Sequence, residues 1–368
     1  MVDAVLAIVC GAAVLSVLAV AHYAFWTRRL RQPIRDDGIV RAETSDGWRL
    51  ALGMRLPRGG ERLPPVLLVH GLSANRWMLD AGVETFSLAA YLARSGFRTF
   101  ALDLRGHGDS RDAPGRLGGW SFDDYVEKDV PAALDAVRRV TGDDRVLWVG
   151  HSLGAVTGLV SCQRYPERVS GIVALAGPMS FDVDGLVARY LGWGFLVDGR
   201  YNRVLSKMIA PLAGVIHPVA AELAVNGRNV DRPVYQRILS NSIENVPGQV
   251  FLQMADWVRN DACRSVDGKV DYRAGLASCR QPALFVSAVK DHLAPPSAVR
   301  VSYDLWGGPK ELAEFSVTSG HSAEYGHVDL LLGKKAPLEV YPVVLRWLLA
   351  HSRSTGQSST RVDTEGVA

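Results

Sequence analysis

A chain of 368 residues, 48% hydrophobic and 21% charged, carries enough apolar material for one large domain with an insertion, which excludes a disordered or low-complexity protein. Its 41 basic and 38 acidic residues leave a formal charge of +3, and several arginines sit together just behind the first hydrophobic stretch, so no basic face for nucleic acid is implied. Cys10, Cys162, Cys263 and Cys279 are too few and too dispersed for a disulfide scaffold or a zinc site. A Cys263–Cys279 pair requires an oxidising compartment, and the four read as plain thiols.

From Ala4 to Trp26 no charge interrupts the chain. At ~1.5 Å per residue a helix of that length crosses a hydrocarbon core of roughly 30 Å, so residues 4–26 are expected to form a transmembrane anchor. A cleavable signal peptide is the alternative. The small residues Ala19-Val20-Ala21 suit it, but the amino-terminal flank holds Asp3 and no Lys or Arg, which opposes it. Arg28, Arg29, Arg31 and Arg35 follow the span, and the positive-inside rule then puts the rest of the chain in the cytoplasm. A cleaved signal would export it instead.

Beyond the anchor, Trp48, Leu50, Leu52, Met54 and Leu56 alternate with Arg49, Ala51, Gly53 and Arg55 after a turn at Asp46-Gly47, which predicts a half-buried hairpin between Gly38 and Pro57. Val66 to Val69 is a short apolar run of the kind found in parallel sheets. A helix from Phe86 to Arg94, a strand from Phe97 to Leu104 and a helix capped by Ser121 and Asp124 follow, with Pro131 interrupting that helix's apolar stripe. Arg145–Val149, Leu153–Arg164 and Val169–Ala176 continue as strand, helix and strand, the alternation of an α/β sheet. Residues 38–178 are therefore the first part of a core.

Between Met179 and Arg280 the alternation stops. This segment is rich in helical stretches and holds Trp193, Phe195, Tyr201 and Trp257, and residues 179–280 are expected to be an inserted helical cap whose apolar side chains suggest an acyl pocket, although such residues more often form a cap's own core. Residues 281–350 resume the core with strands at Pro282–Ala288 and Leu312–Val317 and a helix at Leu338–Leu349. Residues 351–368, rich in Ser, Thr and Gly, read as a disordered tail.

The chemistry centres on Gly150-His151-Ser152-Leu153-Gly154. A serine hydroxyl is a poor nucleophile unless it is held in the open and paired with a base. Glycines on either side permit a sharp strand-to-helix turn that lifts Ser152 above the sheet, and here the pentapeptide does follow a buried strand and open a helix. The bare pattern without that context would be a structural turn. An acyl-transfer site also needs donors for the oxyanion. The N–H of Leu153 supplies one and that of Leu72, after the strand ending Val69-His70-Gly71, the other, with His70 as a strand-ending structural histidine.

In this architecture the acid and then the histidine follow the serine in the chain. Asp291, in Val289-Lys290-Asp291-His292 at the carboxyl end of a strand, is the expected acid, and Asp182 or Asp184 is the alternative. Among the nine histidines, His321 and His327 both lie in the loop after the last strand, and spacing does not separate them.

Tyr325-Gly326-His327-Val328-Asp329-Leu330-Leu331-Leu332-Gly333 resembles the catalytic-histidine segment of the acid lipases and of polyhydroxyalkanoate-synthase-like hydrolases. Thr44-Ser45-Asp46-Gly47, Val69-His70-Gly71-Leu72, the loop Asp103-Leu104-Arg105-Gly106-His107-Gly108-Asp109-Ser110 and the Ser152 pentapeptide are similar to the same group. The resemblance implies an α/β-hydrolase fold, a mostly parallel sheet flanked by helices, and makes His327 the base with His321 as the alternative. The synthases resembled use cysteine as nucleophile, whereas this chain has Ser152, which favours hydrolysis over polymer synthesis.

The expectation is a serine hydrolase acting on carboxylic esters, with lipid or fatty-acyl esters suggested by the anchor and the cap. It needs no metal and no organic cofactor. The alternatives are acyl transfer, thioester or amide hydrolysis by the same residues, or a non-catalytic binding protein on the fold.

Overall fold

The computed structural model describes residues 2–58, 63–110, 119–181, 201–215 and 222–352. Eight strands form one sheet in the order β1-β2-β4-β3-β5-β6-β7-β8. They are β1 Gly38–Glu43, β2 Arg49–Arg55, β3 Val66–Val69, β4 Thr99–Asp103, β5 Val146–His151, β6 Val169–Leu175, β7 Ala283–Ala288 and β8 Lys310–Phe315. The β1–β2 and β2–β4 pairings are antiparallel and the others parallel.

Every residue of β3, β4, β5 and β7 is buried, as expected of strands covered on both faces by crossover helices. The hairpin departs from the half-buried reading. In β2 the alternation fails, because Ala51 and Gly53 are buried along with Leu50 and Leu52, and Arg55 is buried against Asp80. Both faces of β2 are covered: Leu50 and Leu52 are buried on one, and on the other the Asp36 and Arg76 side chains lie against Gly53 and Asp80 lies against Arg55.

From β3 the chain crosses one way through helix α2 (Leu88–Arg94) to β4, and from β4 it crosses back through α3 (Val130–Thr141) to β5 on the other side of β3. That reversal opens a crevice beyond the carboxyl ends of β3 and β5, the place where open α/β sheets bind ligands. Ser121 and Asp124 form the expected capping box. The interruption at Pro131 is accommodated by a widened π turn, Tyr125–Asp129, that runs directly into α3, and the Val126 carbonyl, five residues before the proline, accepts from the Tyr165 hydroxyl at 3.1 Å.

Helix α4 (Leu153–Arg164) follows β5, α8 (Pro296–Leu305) packs on β7 and β8, and α9 (Ala336–Ser352) packs on α2, with Trp347 over Gly171 of β6. Within 179–280 the described helices include α5 Asn202–Ile209, α6 Arg232–Asn241 and α7 Gly248–Asn260. Trp193 and Phe195, named above for the cap, lie outside the described residues, as do 353–368. Trp257 does not line a pocket. It is fully buried, edge-on to Phe122 at 4.9 Å and near Phe181 at 5.4 Å, so it joins α7 to the core.

All four cysteines are free thiols. Helix α1 runs unbroken from Val2 to Leu30. Residues 2–21 are exposed on all sides, whereas His22, Tyr23, Trp26, Thr27 and Leu30, on one helical face, are covered by the rest of the protein.

Candidate active site

Ser152 stands between β5 and α4 with φ 54° and ψ −124°, a backbone conformation that costs a non-glycine residue energy and survives only where its surroundings impose it. The surroundings here are main chain. The Ser152 N–H donates to the Leu175 carbonyl of β6 at 2.8 Å. A Cβ on Gly154 would lie on the Val69 and His70 carbonyls, so only glycine lets α4 start this close to the end of β3. Gly71 is equally constrained, since a Cβ there would come within 2.9 Å of Ser152 Cβ. The serine is left half-buried at the crevice.

Asp291 follows β7 and is buried. Its Oδ1 accepts the N–H groups of Leu293 at 2.9 Å and Ala294 at 2.7 Å, which leaves Oδ2 for His327 Nδ1 at 2.7 Å. With Asp291 Oδ2 as the acceptor, His327 donates through Nδ1–H, which makes Nε2 the acceptor nitrogen of the ring. The two loops are also joined by Lys290 N–H donating to the Tyr325 carbonyl at 2.8 Å. Asp329 shapes the histidine's turn by accepting from Gly326 N at 2.9 Å and from Asn229 Nδ2 at 2.8 Å. Burial pushes the Asp329 carboxyl above its ordinary range.

His321 is placed elsewhere. Its ring lies 4.3 Å from that of Phe315 and its Nδ1 is 3.2 Å from the Ser316 carbonyl, whereas His327 is the one that contacts Asp291. His292 is exposed, and Asp182 and Asp184 lie outside the described residues.

One residue of the site was missed in the sequence. His151 is buried beside the serine, its ring 4.7 Å from that of His327, and its Nε2–H donates to the His327 carbonyl at 2.9 Å. It thereby holds the backbone of the histidine that faces Asp291. Burial, first, and the neighbouring His327 bring its pKa down to about 3, so it stays neutral at working pH. No signal in the sequence marks this role, because the x position of G-x-S-x-G accepts many residues.

Leu153 opens α4, where the first N–H groups have no intrahelical acceptor, and Leu72 lies half-buried in the turn after β3. His70 has the expected structural position. It is fully buried, its Nε2 accepts from Leu104 N at 3.2 Å, and its Nδ1–H donates to the Gly71 carbonyl at 2.9 Å. Burial lowers its pKa to about 3.

Support for the Leu72 turn comes from far along the chain. Ser73, with φ 53°, bonds through its hydroxyl to the Glu244 carbonyl, and Glu244 N donates to the Ser73 carbonyl at 2.9 Å. Asn75 Nδ2 donates to Glu244 Oε1 and to the Asn241 carbonyl, both at 2.9 Å. Asn241 in turn grips the end of α1, its Nδ2 donating to the Leu30 carbonyl at 3.0 Å and its Oδ1 accepting from Gln32 N at 2.9 Å. The Asp103–Ser110 loop beneath is fastened by buried ion pairs, Arg76 to Asp103 at 2.6 Å and Arg105 to Asp129 at 2.7 Å.

Residues 64–331 match the family described as alpha/beta hydrolase fold. The chain is similar to mouse lipase member M, 25% identical over 87% of this chain and 84% of that one. It is also similar to human lysosomal acid lipase/cholesteryl ester hydrolase, 31% identical over 38% of each chain. The poly(3-hydroxyalkanoate) polymerase subunit PhaC of Haloferax mediterranei is 24% identical over 82% of this chain and 62% of that protein. Among solved structures, an esterase from Thermogutta terrifontis superposes with a TM-score of 0.58 at 17% identity, covering 86% of this chain and 99% of that one. A hydrolase from Pseudomonas aeruginosa PA01 gives 0.56 at 20% identity, covering 85% and 99%. With the parallel sheet, the strained turn at Ser152 and this match over most of its length, the chain belongs to the α/β-hydrolase fold family.

Proposed function

We propose that this protein is a serine ester hydrolase in which His327 Nε2 removes the Ser152 proton as Ser152 attacks an ester carbonyl. Asp291 holds the imidazole and balances its charge, the N–H groups of Leu153 and Leu72 receive the oxyanion, and the imidazolium gives its proton to the departing alcohol. Water deprotonated by the same histidine then releases the acyl group as the acid and restores Ser152. The carrying observation is the 2.7 Å pairing of His327 with Asp291 on loops at the same end of the sheet as the strained Ser152 turn.

Lipid or fatty-acyl esters are the proposed substrates, supported by relatives named as lipases and by the apolar helix α1. In this reading residues 4–26 anchor the chain, the arginines behind them keep residues 38–350 in the cytoplasm, and 179–280 cap the site. Similarity to PhaC favours one second reading, transfer of the acyl group to an alcohol rather than to water, by the same residues.

A fluorophosphonate probe tests the reading. Wild-type protein is expected to be labelled and Ser152→Ala to be unlabelled while still folded; equal labelling of both rejects Ser152 as nucleophile. A p-nitrophenyl ester series then tests the acyl preference, which fails if acetate is the best substrate. Added alcohol that yields new ester in place of free acid selects the transfer reading.

A further inference from the structure

Helix α5 turns its apolar side away from the protein. Its one buried residue is the polar Ser206, whereas Val204, Leu205 and Ile209 are 46%, 49% and 49% exposed. Tyr201 before it and Leu212 after it extend the same stripe, since positions 201, 204, 205, 209 and 212 fall on one helical face. A contiguous apolar face left in water marks an interaction surface.

The neighbour of α5 identifies what covers that face. Helix α1 packs along α5 and α6, and His22 Nε2 meets the Met208 carbonyl at 3.0 Å. From Ala4 to Ala21, exposed throughout, α1 rises roughly 27 Å at ~1.5 Å per residue, close to the hydrocarbon thickness of a bilayer. His22 then stands at the membrane boundary, followed by Tyr23, Phe25 and Trp26, the aromatic residues favoured at that depth. Met208, and with it α5, is held at the same level. One turn further out, Arg28 and Arg31 of the anchor's end and Arg203 and Lys207 of α5 line a single open cavity of about 610 Å³ whose lining also includes Asp36, Asp109 and Glu244, the last 3.7 Å from Arg203. The surface beside the apolar stripe is thus polar and of mixed charge, as a headgroup layer of zwitterionic and anionic lipid accepts.

We propose that α5 and the turn after it form a second membrane-contacting surface, lying in the headgroup layer beside the anchor with Leu205 and its neighbours among the acyl chains. The first residue of α5, Asn202, donates to Ser73 Oγ at 3.4 Å, one residue from Leu72. The surface therefore brings the Leu72 turn close to the bilayer, and the substrate class it selects is an acyl ester resident in the membrane. This rests on the anchor and hydrolase readings above and adds a contact that neither requires.

The test uses the full chain in vesicles of phosphatidylcholine and phosphatidylglycerol, with Cys10→Ala removing the exposed native thiol. An environment-sensitive fluorophore is attached at Leu205→Cys, at Phe25→Cys as the anchor reference and at Val140→Cys as the aqueous reference, near the end of α3 that precedes β5 and so away from the crevice. The expected result is that the Leu205 probe, like the Phe25 probe, is quenched by spin-labelled lipid and shielded from iodide. A Leu205 probe as open to iodide as the Val140 probe, with the Phe25 probe in lipid, overturns the proposal and leaves the anchor standing. A Phe25 probe in water overturns both. As a second measurement, Leu205→Glu is expected to lower hydrolysis of a long-chain ester embedded in the vesicles about tenfold while leaving p-nitrophenyl acetate hydrolysis unchanged. Equal loss on both substrates rejects a role at the membrane.

Discussion

At the Ser152 turn the contacts that fix the geometry are main-chain contacts: a backbone bond to Leu175, glycines pressed against carbonyls, and strands buried on both faces. At the junction of α1 with α5 and α6 they are side-chain contacts, Asn241 on Leu30 and Gln32 and His22 on Met208, beside an apolar face that remains exposed. The first arrangement has one solution and, in the proposed reaction, places the reacting atoms. The second is held by a few polar groups and, in the anchor reading, decides where the protein sits. The two meet at Ser73 and Asn75, which carry the grip of Glu244 and Asn241 to the turn holding Leu72.

The sharpest way to break this contrast is at the histidines. His327→Ala is expected to lower kcat on a p-nitrophenyl ester by about 10⁴-fold, whereas His321→Ala should stay within about twofold of wild type. Comparable losses in both variants would mean that the Asp291 pairing does not define the base. Both proteins should be checked for folding by circular dichroism.

The next effect is on stability. His70 and His151 are held neutral by burial with pKa near 3, against about 6.5 in an unfolded chain. Between those values the unfolded state binds protons that the folded state refuses, so stability is intact above about pH 6.5 and falls as the pH drops. At pH 5 the loss is up to about 2 kcal/mol for each histidine. Urea midpoints at pH 7 and pH 5 measure it, and His151→Gln should lose visibly less on acidification than wild type. An unchanged pH dependence in that variant would show that His151 is not buried in this way.

The smallest effect probes the link between the regions. Asn241→Ala removes both side-chain bonds to the end of α1 and is expected to cost about 1 kcal/mol of stability. A several-fold fall in kcat, with KM little changed, would follow if slack at Asn241 reaches Leu72 through Asn75. An unaltered kcat would show that the two regions are independent.

Much of the core was legible in the sequence because its signals are local. Apolar runs of strand length, a capping box four residues long and a glycine-flanked serine each declare themselves within a few positions. His327 and His321 sit six residues apart in one loop, and only the fold of Asp291 toward one of them tells them apart. The support of the Leu72 turn was invisible for the same reason, since Ser73 and Glu244 are 171 residues apart. Trp257 was ambiguous because an aromatic residue in an inserted segment reads the same whether it lines a pocket or packs in a core, and only its contact with Phe122 shows the second. Pro131 marked a real irregularity but not its form, a π turn.

Helix α1 has no break between its exposed length and the turns that pack on the protein. Read as an anchor, it behaves as a measuring rod. Lengthening the stretch before His22 by one turn would raise the whole hydrolase by ~5.4 Å, about the depth to which an interfacial helix sinks. The number of uncharged residues at the amino terminus thereby sets the height of the Ser152 hydroxyl above the lipid, and a bilayer of different thickness would reset it.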